Sequence, residues 1–158
     1  MAEAAGNLLP YPFAAFNFSI EITREDESAP LVNAAFSECD GLEMTMEVKT
    51  IREGGKNDRQ IRLAGPLACG QLALKRGMTS NFGLWKWMSD TVKDPSLRAE
   101  VVVVLFARDG QTECARFLLS RCLPIKLKAP PLNAKEGILA VEELQIAYES
   151  LILRSSKS

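Results

Sequence analysis

The sequence predicts a mainly β protein, an antiparallel β-barrel or sandwich with one flanking α-helix. Apolar and polar residues alternate with period two in several separate stretches, and Val101–Phe106 is almost continuously β-branched and apolar. Only one segment, 82–92, spaces its apolar residues as a helix does. At 158 residues, with 47% apolar and 25% charged side chains, the chain is long enough to bury a core without disulfides or a structural metal. It is read as one domain, with residues 1–12 as a flexible N-terminal arm and 155–158 as a flexible tail.

Phe16, Phe18, Ile20 and Ile22 alternate with Asn17, Ser19, Glu21 and Thr23, as in a strand with one packed face. A short element near Val32–Ser37 carries Ala34 and Phe36 and runs through Asp40-Gly41 into a longer strand. There Leu42, Met44, Met46 and Val48 alternate with Glu43, Thr45, Glu47 and Lys49, and the methionine pair is read as core, where a flexible thioether fills gaps. Arg52–Gln60 is polar and glycine-bearing, so it is expected as an exposed hairpin tip. Leu67–Arg76 reads as one strand through Leu72, Leu74 and Arg76.

Gly77 and Thr79-Ser80-Asn81 supply turn chemistry and a helix N-cap. The helix then runs from Phe82 to about Val92, with Leu84, Trp85, Met88 and Val92 at helical spacing, and Asp94-Pro95 stops it. Trp85 and Trp87 are expected as core or interface aromatics. The Val101–Phe106 strand suits burial on both faces, and Asp109-Gly110 turns it into a hairpin with Glu113–Cys122. Pro124, Pro130 and Pro131 interrupt the next stretch. Gly137–Tyr148 resumes alternation with Ile138, Ala140, Glu142, Leu144, Ile146 and Tyr148 on one side. Glu142 therefore falls on an apolar face, where a carboxylate needs a cation across a strand or subunit boundary, or a wet interface.

The formal net charge of −1 gives no global field to attract nucleic acid. No histidine is present, which removes the commonest general base and metal ligand and every Ser-His or Cys-His arrangement. The glycines form no phosphate-cradling motif, and the acid pairs Glu43/Glu47 and Glu142/Glu143 read as solvated strand faces. Cys39, Cys69, Cys114 and Cys122 lack metal or redox spacing and are read as reduced thiols of a cytoplasmic protein. The N-terminus has no signal-peptide pattern, and the longest apolar run is strand-sized, so neither secretion by that route nor membrane insertion is expected. No catalysis, cofactor or metal is expected.

A set of pieces covers nearly the whole chain: Phe16-Asn-Phe-Ser-Ile20, Phe36-Ser-Glu-Cys-Asp-Gly-Leu42, Ile51-Arg-Glu-Gly-Gly55 with Asn57, and Leu63-Ala-Gly-Pro66. They continue in Leu72-Ala-Leu-Lys-Arg-Gly77, the tryptophan helix, Pro124-Ile-Lys126 with Pro131-Leu-Asn-Ala134, and Val141-Glu-Glu-Leu144. In order and spacing these pieces resemble the tail tube proteins of contractile phages, the inner tubes of extracellular contractile injection systems and, more distantly, the type VI secretion tube protein. The resemblance implies a barrel-like subunit with a flanking helix, assembled into hexameric rings whose inner sheets join around a channel for cargo or DNA. It implies stacking inside a sheath, with further copies of the chain, sheath protein, and baseplate, spike and cap proteins as partners. The implied setting is assembly in the cytoplasm into a phage tail or phage-tail-like particle.

It also implies that the loop of Arg52, Glu53, Gly54, Gly55, Lys56, Asn57, Asp58 and Arg59 contacts the neighbouring ring. Glu43, Thr45, Glu47 and Lys49, on the polar strand face, are candidates to line the lumen, an outer solvent face being the alternative. Two other readings stay open: a baseplate or tube-initiating adaptor, which shares the pattern, and a stand-alone ligand-binding β-barrel. Ring closure suits a sheet protein, because each unpaired edge then meets the next subunit.

Overall fold

A computed structural model describes residues 12–52, 54–55 and 59–155. Of the expected arm, residues 1–12, and tail, residues 155–158, all but residues 12 and 155 lie outside the described residues. The strands are β1 (Phe18–Arg24), β2 (Val32–Ala34), β3 (Glu38–Asp40), β4 (Met44–Arg52), β5 (Gln60–Cys69) and β6 (Gln71–Gly77). Helix α1 (Gly83–Lys93) follows, then β7 (Ala99–Phe106), β8 (Glu113–Lys128), β9 (Val141–Ala147) and β10 (Ser150–Ser155). The fold is mainly β, with antiparallel pairing throughout and one helix among the described residues.

β8 joins the two halves of the main sheet. Its first half pairs with β7 and β10, from Ala99↔Cys122 to Phe106↔Glu113 and from Ser150↔Ser120 to Ser155↔Ala115. Its second half pairs with β9, from Leu123↔Ala147 to Lys128↔Glu143. Arg121, at φ 53°, separates the halves, and a left-handed residue inside a strand bends it sharply. The halves therefore read β2-β1-β7-β8-β10 and β8-β9-β6-β3, folded over one core. Pro124 lies inside β8 rather than interrupting it, next to a register shift between Pro124 and Lys126 that accommodates its missing N–H.

Core side chains come from every layer: Ile20 and Ile22, Leu72 and Leu74, Val101 and Val103, Leu119 and Cys122, Leu144 and Ile146, with Leu84 and Trp87 of the helix. The helix packs on β8 and buries Leu84, Trp87 and Thr91, so that of the expected stripe Leu84, Trp85, Met88 and Val92 only Leu84 is fully buried. Val92 is 75% exposed, whereas the Trp87 indole is fully buried. Asn81 supports the helix start, its Oδ1 accepting the Gly83 N–H at 3.0 Å, although Phe82 holds the N-cap position.

Glu142 is buried and stands directly opposite Arg76 in the β6–β9 ladder, where the two form an ion pair. The Trp85 indole N–H donates to its second oxygen at 3.0 Å, and Arg76 Nη2 donates to the Asn81 carbonyl at 2.8 Å. The guanidinium also lies 5.9 Å from the centroid of the Phe36 ring. The expected cation is thus found across a strand boundary within the subunit.

Other boundaries differ from the sequence reading. β1 starts at Phe18 and leaves Phe16 65% exposed, and Leu67–Arg76 is broken at Gly70 into the end of β5 and β6. β10 was not anticipated from the sequence. Its alternation is masked because Leu151, Ile152 and Leu153 are consecutive apolar residues.

Candidate functional site

The β3–β6 pair does not stop where the body of the protein stops. Past Gly41 and Gly70 the same two chain segments continue as β4 and β5, a separate two-stranded ribbon with register running from Met44↔Cys69 to Arg52↔Gln60. Every residue of β4 is exposed, and in β5 only Gly65 and Cys69 are even half-buried. The ribbon is an arm standing off the core. Met44 and Met46, expected as core, are each 54% exposed, since among the described residues the strand that carries them has no second layer over it.

The arm carries apolar side chains on both faces, but at different heights. Met46↔Leu67 and Val48↔Ala64 leave Gly65 and Pro66 opposite Glu47, a bulge in β5. A Cβ on Gly65 would lie 2.5 Å from the Glu47 carbonyl oxygen, so the bulge requires glycine there. Strand alternation then places Met44, Met46, Val48, Ala64, Leu67 and Cys69 on one face near the base. Ile51, Ile61 and Leu63 lie on the opposite face toward the tip.

Thr45, Glu47 and Lys49 share that second face, whereas Glu43 precedes the strand and sits at the bend. All four are exposed. Of the loop candidates, Arg52 ends β4, Gly54 and Gly55 form a turn with Gly55 at φ 104°, and Arg59 precedes β5. Glu53, Lys56, Asn57 and Asp58 lie outside the described residues. The apolar side chains of β5 were missed by the sequence reading, although Ile61 and Leu63 alternate with Arg62. The bulge at Gly65-Pro66 breaks that signal before Leu67.

A second apolar exposure lies on β10, the border strand of its half-sheet, where Ile152 and Leu153 are 50% and 61% exposed. Burial pushes the Cys122 thiol up to about 12, and burial, reinforced by neighbouring Asp40, pushes Cys39 up to about 11. All four cysteines are free. Among the described residues no group of three or more Cys, Asp or Glu is placed to hold a metal ion, and no helix is long and apolar enough to cross a membrane.

The family model described as T4-like virus tail tube protein gp19 matches residues 14–152. A chain of the anti-feeding prophage baseplate superposes with a TM-score of 0.81 at 24% identity, covering 95% of this chain and 100% of that one. A chain of the sheath–tube complex of the PVC extracellular contractile injection system, in its extended state, gives 0.78 at 18%, covering 92% and 93%. Hcp1 from Flavobacterium johnsoniae gives 0.52 at 12%, covering 87% and 96%. No curated protein matches in sequence. These structural likenesses show a shared fold, and the family match runs from ahead of β1 into β10, taking in the arm and the helix. The chain belongs to the T4-like virus tail tube protein family.

Proposed function

We propose that this chain is the repeating subunit of the inner tube of a contractile phage tail or phage-tail-like injection particle, assembled as homohexameric rings that stack around a channel. The arm carries this reading. A two-stranded ribbon with both outer edges open is at best marginally stable in water and needs further strands or an apolar cover. The arm exposes Met44, Met46, Val48 and Leu67 on one face, and the body offers a border strand, β10, with Ile152 and Leu153 exposed. A second copy supplies both needs, and a head-to-tail contact repeated with rotation closes into a ring.

In such a ring the apolar base of the arm packs on the neighbour. The face with Thr45, Glu47 and Lys49, together with Glu43 at the bend, turns toward the lumen, where mixed charge lets cargo or DNA pass without adhering. The tip loop Arg52–Arg59 meets the next ring. Sheath, baseplate, spike and cap proteins are the expected partners, since related folds occur in sheath–tube, baseplate and cap structures. The role is structural and non-catalytic, and assembly takes place in the cytoplasm. A second reading, a tube initiator at the baseplate, is favoured by the likeness to a baseplate chain along that chain's full length.

Met46→Asp tests the reading. Because Met46 is largely exposed in the single subunit, the variant should keep its circular dichroism and melting temperature while failing to form rings in negative-stain micrographs. Wild-type protein that stays monomeric at every concentration, with sheath and baseplate partners added, would sink the tube reading. So would ring formation by the variant. A wild-type chain that adds one ring to a baseplate and no more would select the initiator.

A further inference from the structure

The arm leaves the body at a bend whose geometry is set by a residue far away in sequence. Tyr148, 5% exposed, follows β9 and aims its hydroxyl at the bend between β3 and β4. The hydroxyl donates to the Gly41 carbonyl at 2.6 Å, with the Glu43 carbonyl 3.1 Å away, and accepts the Glu43 backbone N–H at 3.0 Å. It therefore ties the chain on both sides of Leu42. Burial raises the phenol above its ordinary range, so the donor proton is retained.

Other contacts converge on the same place. The Gly70 N–H donates to the Glu43 carbonyl at 3.0 Å, linking the two segments of the ribbon where they turn. The Cys69 thiol reaches the Glu149 carbonyl at 3.4 Å. Gly41 has φ 97°, and a Cβ there would lie 1.9 Å from the Gln71 carbonyl oxygen, so the bend requires glycine at this position. The Tyr148–Glu149 turn is itself anchored at the kink of β8, by Glu149 N–H to Ser120 carbonyl at 3.1 Å and Arg121 Nε to the Glu149 carboxylate at 2.9 Å.

The geometry points to Tyr148 as the positioning residue of assembly, its hydroxyl fixing the angle at which the arm is presented to a second copy of the chain. This rests on the tube reading for the identity of the partner. Among the described residues nothing packs over the arm to hold its direction, so the bend does so. The core of the body does not need the hydroxyl, because the Tyr148 ring already packs there.

Tyr148→Phe keeps the ring and removes the three polar contacts. Hydrogen–deuterium exchange on dilute full-length protein should show the segments flanking the bend, 41–46 and 67–71, exchanging about tenfold faster, as expected for losing a buried hydrogen-bonded tie. β7 and β8 should exchange as in wild type, and the concentration needed for ring formation should rise about tenfold. Gly41→Ala, which disturbs the same bend with the hydroxyl intact, should raise that concentration too. An unchanged ring-forming concentration in Tyr148→Phe overturns the assignment. So does faster exchange spread evenly through β7 and β8, which would make Tyr148 a general fold residue. If wild-type protein forms no rings, the tube reading fails, and exchange confined to the bend alone decides the role of Tyr148.

Discussion

Glu142 has its charge held entirely by protein groups, an ion pair to Arg76 and an indole donor from Trp85. Removing one member of such a pair leaves the other charged and desolvated, which costs about 3–5 kcal/mol, whereas replacing both with apolar residues is often neutral. Glu142→Gln should therefore lower subunit stability by roughly 3 kcal/mol in urea unfolding. The double variant Arg76→Met/Glu142→Leu should recover most of the loss. The pair lies inside the subunit, so the effect belongs to folding and not to ring closure. A Glu142→Gln chain of unchanged stability but weakened rings would instead place this carboxylate at a subunit boundary.

At the level of elements, the tip of the arm is where stacking can be tested. Exposed ion pairs are worth only about 0–1 kcal/mol each, so single charge swaps in Arg52–Arg59 should be silent. Deleting Gly54 to Asp58 should leave single rings intact and abolish long tubes, judged by electron microscopy. Tubes of normal length from the deletion would remove the loop from the stacking contact. Most body elements were legible in the sequence because their alternation is unbroken: Glu142, Leu144, Ile146 and Tyr148 are all buried, as the pattern predicts, although Ile138 and Ala140, read onto the same face, precede β9 and are exposed. Alternation in Met44–Val48 was equally clear, but period two reports only that one face avoids water. It does not say whether the cover comes from the same chain, and among the described residues none supplies it. The reach of Tyr148 to the bend joins residues 105 and 107 positions apart, which no local pattern encodes.

Across the whole molecule, β8 is the common member of both half-sheets, bent once at Arg121. Neither half can open without stripping β8 from the other, so the subunit should unfold in one cooperative step. Far-ultraviolet circular dichroism follows all strands, while fluorescence of Trp85 and Trp87 follows the helix and its packing. The two denaturation curves should coincide. Separated midpoints would show that the half-sheets are independent units despite the shared strand.

The exposed arm also bears on how growth of a tube would begin. A free subunit meeting another free subunit makes one head-to-tail contact and leaves the second arm uncovered, which buries little surface against the freedom lost on association. A subunit arriving at a finished ring docks against neighbours already held in place. On the tube reading, starting a new filament is therefore slow and lengthening an existing one is fast. The number of tubes then follows the number of starting platforms, and the supply of this chain governs only how quickly each one extends.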